Sequence, residues 1–337
     1  MSPLRAGRTE LRSRLSMDPA AMPAMAFLCL LLVAGTLLSD VFLSVRNIGN
    51  VLTNVTPLLL IAVGQTFVIG SRGLDLSVGV VATLAATIVA TLGPQLGLLG
   101  VVVALGAGAL VGLVNGLGVR WGLEPFLMTL ASLSVVQGIV FIYQPSPGGT
   151  VPAELTGVAG TLGPIPVALP IVVLATLAAA VVLRRTRLGA HLLASGGDSA
   201  VARLAGVRVE RSLMAAYVIC STLAAVAGVY LAARTRTGDP LIGQGFTLDS
   251  VAAVVLGGSL LAGGRVTILG TLVGTVCLGL LPNVLNLTGV SYVYQQPIKG
   301  LLLIAAVLLP AAVARIGAAR RRQHAASQLE MRAASLP

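Results

Sequence analysis

The chain has 337 residues, of which 56% are hydrophobic and only 10% are charged, and its mean hydropathy is +0.97. Soluble domains carry about 25% charged residues, so this composition excludes an ordinary soluble protein. A net charge of +11 would suit a nucleic-acid-binding protein, but the arginines lie between apolar stretches and form no single basic block. Their placement is therefore an indication of membrane topology.

Apolar stretches of 17 or more residues recur along the whole sequence, and about 20 residues span a bilayer as a helix. The sequence therefore predicts an all-α, polytopic helical membrane protein with about ten (eight to ten) transmembrane segments, some of them short or re-entrant. The predicted segments are residues 22–38, 51–70, 74–92, 96–119, 124–143, 166–183, 213–233, 247–263, 266–285 and 297–315.

The transmembrane domain is predicted to extend over residues 19–316, between a basic tail at 1–18 and a second tail at 317–337. With ten crossings and the N-terminus inside, all but four of the 22 Lys and Arg residues fall on one side. The positive-inside rule makes that side cytoplasmic. We therefore expect both termini and the polar segment 184–212 in the cytoplasm. The loop 144–165 has no Lys or Arg and is expected outside.

Residues 195–206, in the middle of the polar segment, read as a very short helix with defined ends. Asp198 or Ser199 can cap its N-terminus, and Gly206 can end it in the left-handed conformation. A helix of two turns is marginal alone, so it needs a partner, either the rest of this chain or another protein. The alternative is an ordinary solvated loop. The apolar face available for such a contact is formed by Val201, Leu204 and Ala205.

Glycines recur every four residues at Gly108, Gly112 and Gly116, and again at Gly270 and Gly274. Such spacing gives a helix a smooth face that another helix can approach closely. We therefore expect close helix packing at both places.

Polar residues within apolar segments are costly in a bilayer and often have a function. Uncharged examples are Gln65, Asn115, Gln137, Asn283 and Asn286, for which interhelical hydrogen bonding is the alternative. Asp75 precedes an apolar segment, where a carboxylate favours the helix dipole, and pairing with Arg72 is also compatible with the spacing. We expect a structural role for Asp75, and Asp249 has the same placement.

The sequence contains no candidate catalytic site. The two membrane aspartates lack the Gly-x-Gly-Asp context of intramembrane proteases, and the two histidines lie in polar loops without metal-ligand spacing. A phosphate-binding Gly-x-x-x-x-Gly-Lys-Ser/Thr loop is also missing. We expect no enzymatic activity, no cofactor and no metal, and any ATP-driven work would require another subunit.

Several stretches resemble the permease subunits of ribose-type ABC sugar importers. The most characteristic is Gly73-Leu-Asp-Leu-Ser-Val-Gly79, which is similar to the family signature Gly-Ile-Asp-Leu-Ser-Val-Gly. Together the stretches run in order from about residue 45 to 310 and are specific for the family, though not for a substrate. The others are Asn115-Gly116, Pro125-Phe-Leu-Met-Thr-Leu-Ala-Ser-Leu-Ser, Thr186-Arg-Leu-Gly-Ala, Ala194-Ser-Gly-Gly-Asp-Ser-Ala-Val-Ala-Arg-Leu-Ala-Gly, Leu248-Asp-Ser-Val-Ala-Ala-Val-Val-Leu-Gly-Gly-Ser, Gly263-Gly-Arg and Gln295-Gln-Pro-Ile-Lys-Gly.

This resemblance implies a bacterial inner-membrane permease that works with cytoplasmic ABC ATPase subunits, an extracytoplasmic solute-binding protein and a second permease copy within the lipid membrane. It also implies that the short helix is the coupling helix set into the ATPase. The coupling residues would be Gly197, Asp198, Val201, Arg203, Leu204, Ala205 and Gly206. The structural signature residues would be Gly73, Asp75, Ser77 and Gly79.

Under this hypothesis, alternating access moves a sugar or similar small polar solute along a weakly binding pathway. The residues expected to line it are Gln65, Asn115, Asn283 and Asn286. Two alternatives are an ion-coupled secondary transporter, which would need a carboxylate or a sodium site within the membrane, and a membrane scaffold that transports nothing.

Overall fold

The computed structural model describes residues 21–163, 165–291, 293–301 and 304. The chain divides into two compact units, Met1–Val290 and Ser291–Pro337. In the second unit, residues 293–301 are helical. The tails predicted at 1–18 and 317–337, and most of the segment predicted at 297–315, lie outside the described residues.

The described part of the first unit is built almost entirely of helices, as the sequence predicted. Two two-residue strands, β1 (Thr161–Leu162) and β2 (Ile165–Pro166), form an antiparallel hairpin after a 3₁₀ turn at Gly157–Ala159. The helices are α1 (Met22–Leu38), α2 (Val45–Gly70), α3 (Val78–Leu96), α4 (Leu99–Arg120), α5 (Pro125–Tyr143), α6 (Ala153–Thr156), α7 (Leu169–Arg185), α8 (Arg187–Gly197), α9 (Ser199–Leu204), α10 (Val209–Thr235), α11 (Phe246–Leu256) and α12 (Ile268–Leu287).

Six of these helices are long and apolar enough to cross a membrane, namely α2, α3, α4, α5, α10 and α12. Helices α7 and α8 meet at a 70° bend and together could make a seventh span, while α1 and α11 are shorter apolar helices. The polytopic helical architecture is therefore confirmed, and the number of crossings and the sidedness of the termini stay predictions.

Two elements differ from the sequence prediction. The segment predicted at 247–263 is helical only as far as Leu256, because the chain then turns through Gly258, Gly263 and Gly264, all at positive φ. Helix α8 falls within the stretch that was interpreted as polar. Its Leu192 is completely buried although the surrounding sequence is hydrophilic, so one side of α8 belongs to the core.

Helix α10 is the centre of the first unit and packs against α2, α3 and α4. A second group is formed by α12 with α1, α2 and α11. Tyr217 on α10 and Phe67 on α2 are among the largest fully buried side chains. The core therefore lies around α10, and α4 and α5 expose much of their apolar surface, as expected of lipid-facing helices.

The glycine repeat of α4 lies directly on α10, as predicted. A Cβ atom at Gly112 would lie 2.5 Å from the carbonyl oxygen of Tyr217, and one at Gly108 would lie 2.5 Å from the Cβ of Ala225. At Gly116 the obstacle is the backbone of Met214. The two helices are therefore in near-backbone contact over two turns. Gly270 and Gly274 allow the same approach between α12 and α11.

The two ends of the bundle have different chemistry. At one end the Gly70 carbonyl accepts a 3.0 Å hydrogen bond from the Gly264 N–H, next to Gly196 at the end of α8. The polar segment 184–212 and the parts of the chain next to Arg72 and Arg265 meet at this end, as expected for the cytoplasmic side. At the other end Gly148 and Gly238 exchange two 2.9 Å backbone hydrogen bonds.

The close approach of α4 to α10 gives a stability prediction. Gly112→Ala places a methyl group against backbone atoms and should destabilise the fold by about 1–3 kcal/mol. The matched control is Gly106→Ala on the same helix, where a Cβ meets nothing within 4 Å and the change should be neutral or slightly stabilising. Thermal unfolding in detergent measures both variants, and equal melting temperatures would contradict the packing described.

Candidate functional site

Helix α9 has the predicted helix ends. The Asp198 carboxylate accepts hydrogen bonds from the backbone N–H groups of Ala200, at 2.9 Å, and Val201, at 3.0 Å. At the other end Gly206 has φ +80°, and the N–H of Val207 bonds to the carbonyl of Ala202. This is the Schellman arrangement, in which a left-handed residue satisfies the last carbonyls of a helix. The prediction of a short helix capped by Asp198 is confirmed, but residues 195–197 of the predicted stretch belong to α8, which ends directly before that cap.

The predicted apolar face, formed by Val201, Leu204 and Ala205, points away from the rest of the described chain. Val201 is 60% exposed and Leu204 is 90% exposed, and Ala205 is exposed as well. Only Ala202 is buried against neighbouring elements. The sequence left two partners open for this face, the rest of this chain or another protein. The described part of this chain does not cover it.

Helix α9 is joined closely to α10. Both Nε and Nη2 of Arg203 donate to Oε1 of Glu210 on α10, at 3.1 and 2.9 Å. This ion pair is exposed and contributes at most about 1 kcal/mol. The stronger constraint is covalent, because the four-residue link 205–208 leads into Val209, which is buried at the start of α10. A displacement of α9 therefore acts directly on α10.

Helix α8 supports α9 from the other side. Thr186 caps α8 by accepting from the Gly189 N–H at 3.3 Å, and Leu192 anchors α8 in the core. Gly197 ends α8 and is exposed, directly before the Asp198 cap. The short helix is thus mounted on two firmly packed helices.

The signature Gly73–Gly79 forms the buried connection between α2 and α3. Asp75 has no exposed surface, and its Oδ1 accepts from both the N–H (2.9 Å) and the hydroxyl (2.6 Å) of Ser77. Its Oδ2 accepts from Ser221 on α10 at 3.4 Å. No ion pair joins Asp75 to Arg72. The carboxylate therefore fixes the start of α3 through hydroxyl and amide donors, and the alternative pairing with Arg72 is wrong.

The network around Asp75 extends to two further helices. Asn115 on α4 donates to the Ser77 hydroxyl at 2.9 Å and accepts from Ser132 on α5. Gly79 packs against the backbone of Gly243, where a side chain would not fit. This environment is compatible with the structural role predicted for Gly73, Asp75, Ser77 and Gly79.

The four residues predicted to line a pathway lie at separate places. Gln65 is fully buried and accepts from the Cys220 thiol at 3.4 Å, while Asn115 belongs to the network around Asp75. Asn283 exchanges two amide hydrogen bonds with Asn47, at 3.1 and 2.8 Å, and Asn286 is exposed at the end of α12. The structure does not bring them together, and their pathway role stays a prediction.

The irregular segment Asp239–Gly245 connects α10 and α11, between the predicted segments 213–233 and 247–263, and the sequence analysis assigned it no role. Two side chains bond to its inner side, and a third bonds to Gly238, directly before it. Gln137 donates to the Pro240 carbonyl at 2.9 Å, the Gly243 N–H donates to Thr83 at 3.0 Å, and Gln144 donates to the Gly238 carbonyl at 2.7 Å. The signal that could have found it is local. Three glycines and a proline within eight residues are typical of a chain that is not helical.

Comparison with known proteins agrees with this architecture. Residues 47–307 match the family described as "Branched-chain amino acid transport system / permease component". The ribose import permease protein RbsC of Escherichia coli (strain K12) is 39% identical over 293 residues, which cover 84% of this chain and 91% of that protein. No solved structure is significantly similar to the chain.

Other relatives have different sugars in their names. The ribose import permease protein RbsC of Bacillus subtilis (strain 168) is 37% identical, over 84% of this chain and 90% of that protein. The fructose import permease protein FrcC of Rhizobium meliloti is 32% identical, over 92% of this chain and 90% of that protein.

The caps of α9 give a second prediction. Asp198→Ala removes the acceptor of two backbone N–H groups and should weaken the helix by about 1 kcal/mol. Asp198→Asn keeps a side-chain oxygen in place and is the matched control. Hydrogen exchange of the amides of Ala200 and Val201 should be faster in the alanine variant and near normal in the asparagine variant. Unchanged exchange in the alanine variant would show that the cap does not hold the helix.

The network around Asp75 gives a third prediction. Ser77→Ala removes a hydroxyl donor from a buried carboxylate and should cost about 1.5–3 kcal/mol of folding free energy. Thr36→Ala on α1 is the control, because Thr36 is exposed and bonds only to the Leu32 carbonyl of its own helix. Thermal unfolding in detergent compares the two. A loss no larger than that of the control would argue against a structural role for Ser77.

Proposed function

The chain belongs to the family of ribose-type ABC importer permeases, and on that premise we propose that it carries a monosaccharide or a similar small polar solute inward, driven by separate ATPase subunits. As a permease component it is a multi-pass membrane protein and a transport subunit without an ATPase site of its own. Its relatives are named for ribose, L-arabinose, fructose and D-allose, which supports a sugar without selecting one.

The observation that carries the coupling part of this proposal is the outward face of α9. Moving an apolar side chain out of water lowers the free energy, so the exposed Leu204 on this two-turn helix favours a partner that covers it. We assign this face to a groove of a cytoplasmic ATPase subunit. The residues assigned to that contact are Gly197, Asp198, Val201, Arg203, Leu204, Ala205 and Gly206.

The proposed mechanism follows from the short connection between α9 and α10. When ATP closes the ATPase subunits, α9 moves with them, and the short link to Val209 transmits that movement to α10. Since α10 packs against α2, α3 and α4, its displacement changes the relative positions of the central helices. Alternating access then opens the passage to one side of the membrane at a time.

The remaining partners are inferred from the family. A solute-binding protein on the outer side would deliver the sugar, and a second permease copy in the lipid membrane would complete the pathway. Weak binding by the permease suits such a system, because selectivity can rest on the binding protein. The pathway roles assigned to Gln65, Asn115, Asn283 and Asn286 belong to this proposal.

Asp75 is the one observation that favours an ion-coupled carrier, since such carriers use carboxylates within the membrane. Its carboxylate has no exposed surface and is already bonded to Ser77 and Ser221. A proton or a sodium ion has no access to it in this conformation. The ATP-driven importer is therefore the better supported function.

The coupling assignment gives a fourth prediction. Leu204→Asp places a charge in an apolar contact and should abolish sugar uptake and the stimulation of ATP hydrolysis by the loaded binding protein. Ser199→Asp is the matched control. It adds the same charge to the same helix at its first residue, where the helix dipole favours it, and it should remain active. Uptake and hydrolysis are measured in proteoliposomes containing the complete transporter.

Two results would contradict the proposed function. Normal uptake by the Leu204→Asp variant would show that α9 does not contact the ATPase through this face. Uptake by the permease alone, driven by an ion gradient without ATP, would identify a secondary transporter.

A further inference from the structure

We propose that the segment Asp239–Gly245 and the first turn of α11 line the passage for the solute, and that the Gln244 amide binds its hydroxyl groups. The proposal rests on the proposed transport function and assigns a pathway position that the sequence analysis did not identify. The passage would take a neutral, polyhydroxylated solute of the monosaccharide class.

The first step is depth. Gly243 lies against Gly79 and Thr83 on α3, and α3 continues to Leu96 for another 20–25 Å or so at 1.5 Å per residue. In the other direction, α11 has 11 residues and is about 16 Å long. It ends at Gly257, which packs against Gly270, the third residue of α12. Since a bilayer core is about 30 Å thick, Gly243 lies at membrane depth, while Asp239 follows Gly238 at the end of the bundle.

The second step is that only one side of this segment is covered. Pro240 and Gly243 are buried, and the Thr247 hydroxyl donates to the Leu76 carbonyl at 3.3 Å. On the opposite side Leu241 is 47% exposed, Leu248 is 72% exposed, and Gln244 and Gly245 are exposed between them. The polar side chain and the irregular backbone thus share one open face.

The third step excludes lipid as the neighbour of that face. Backbone that is not helical is tolerated at membrane depth only when it is buried in protein or lines a water-filled cavity, because lipid offers no hydrogen bonds. An exposed amide side chain is unfavourable in hydrocarbon for the same reason. The backbone N–H groups of residues 241–244 already have acceptors within the protein. It is therefore the exposed Gln244 amide that requires water or a polar solute beside the open face.

The surface continues onto α5. Gln137 joins the two elements through its 2.9 Å bond to the Pro240 carbonyl. One and three positions from it, Gly138 and Ser134 are exposed, and a Cβ at Gly138 would meet nothing within 4 Å. On this surface the small or polar residues Ser134, Gly138, Gln244 and Gly245 lie beside the exposed Leu241 and Leu248, and the two glycines leave room for a solute.

The chemistry of Gln244 suits a sugar. Its amide offers two donors and an acceptor, which can pair with the acceptor and donor functions of a sugar hydroxyl group. An uncharged amide also binds a neutral solute without trapping it, as a conduit requires.

The test is the accessibility of a cysteine at this position. In a Cys29→Ser background, Gln244→Cys in the complete transporter in proteoliposomes is treated with a charged, membrane-impermeant methanethiosulfonate. Cys220 and Cys277 are buried and stay in place. We expect rapid modification, a rate that changes when ATP binds, and protection by the transported sugar.

The matched control is Leu110→Cys, in the middle of α4 and 60% exposed. It should react with a membrane-permeant maleimide and not with the charged reagent. If the charged reagent modifies Gln244→Cys no faster than Leu110→Cys in either nucleotide state, the proposal is wrong. A spontaneous disulfide between two copies at Gln244→Cys would also overturn it, because the face would then be a protein contact.

A transport measurement separates this proposal from the proposed function. Gln244→Leu should lower kcat/KM for uptake about tenfold while the loaded binding protein still stimulates ATP hydrolysis, and Gln244→Asn should retain more uptake. Unchanged uptake by Gln244→Leu would refute the contact with the solute. Thiol labelling needs no transport, so it reports on the passage even if the wild-type complex moves no sugar.

Discussion

The whole arrangement depends on one constraint, that backbone at membrane depth must find hydrogen-bond partners within the protein or in water. The non-helical segments 71–77 and 239–245 lead into α3 and α11, and the starts of these two helices rest on each other. Gly243 packs against Gly79, and Thr247 bonds to the Leu76 carbonyl. The start of α3 and the start of α11 are fixed by the same contact.

Helix α10 connects this buried centre with the polar end of the bundle. Its first residues follow α9 and hold Arg203 through Glu210, and its middle supplies Ser221 to the Asp75 network. The glycine face of α4 lies against the same middle turns. A movement of α9 would therefore pass along α10, one continuous and tightly packed helix that contacts both the signature segment and α4. This is the property that a transmission between an ATPase and a passage needs.

Sequence patterns predicted the parts that depend on local chemistry. The capping ability of Asp198, the left-handed Gly206 and the glycine repeat of α4 each follow from a few neighbouring residues, and all three are present. The end of α11 at Leu256 was missed because the apolar character of residues 247–263 continues beyond the helix, through the turn at Gly258, Gly263 and Gly264. The apolar side of α8 was missed because a single fully buried leucine, Leu192, is too weak a signal among polar neighbours.

Polar residues were the least predictable part of the site, because their partners come from distant positions in the chain. Asn115 finds Ser77 and Ser132, and Asn283 finds Asn47, and only the folded bundle brings these groups together. An amide within an apolar stretch is compatible with interhelical bonding or with a passage, and spacing alone does not distinguish the two.

The exposure of Leu204 also has a consequence for the life of the protein in the cell. A permease that is inserted into the membrane before its partner subunits are made would expose this apolar side chain to the cytosol, where chaperones and proteases recognise such surfaces. An exposed Leu204 would thus mark a permease copy without partners for removal, and synthesis of the subunits in matching amounts would protect it.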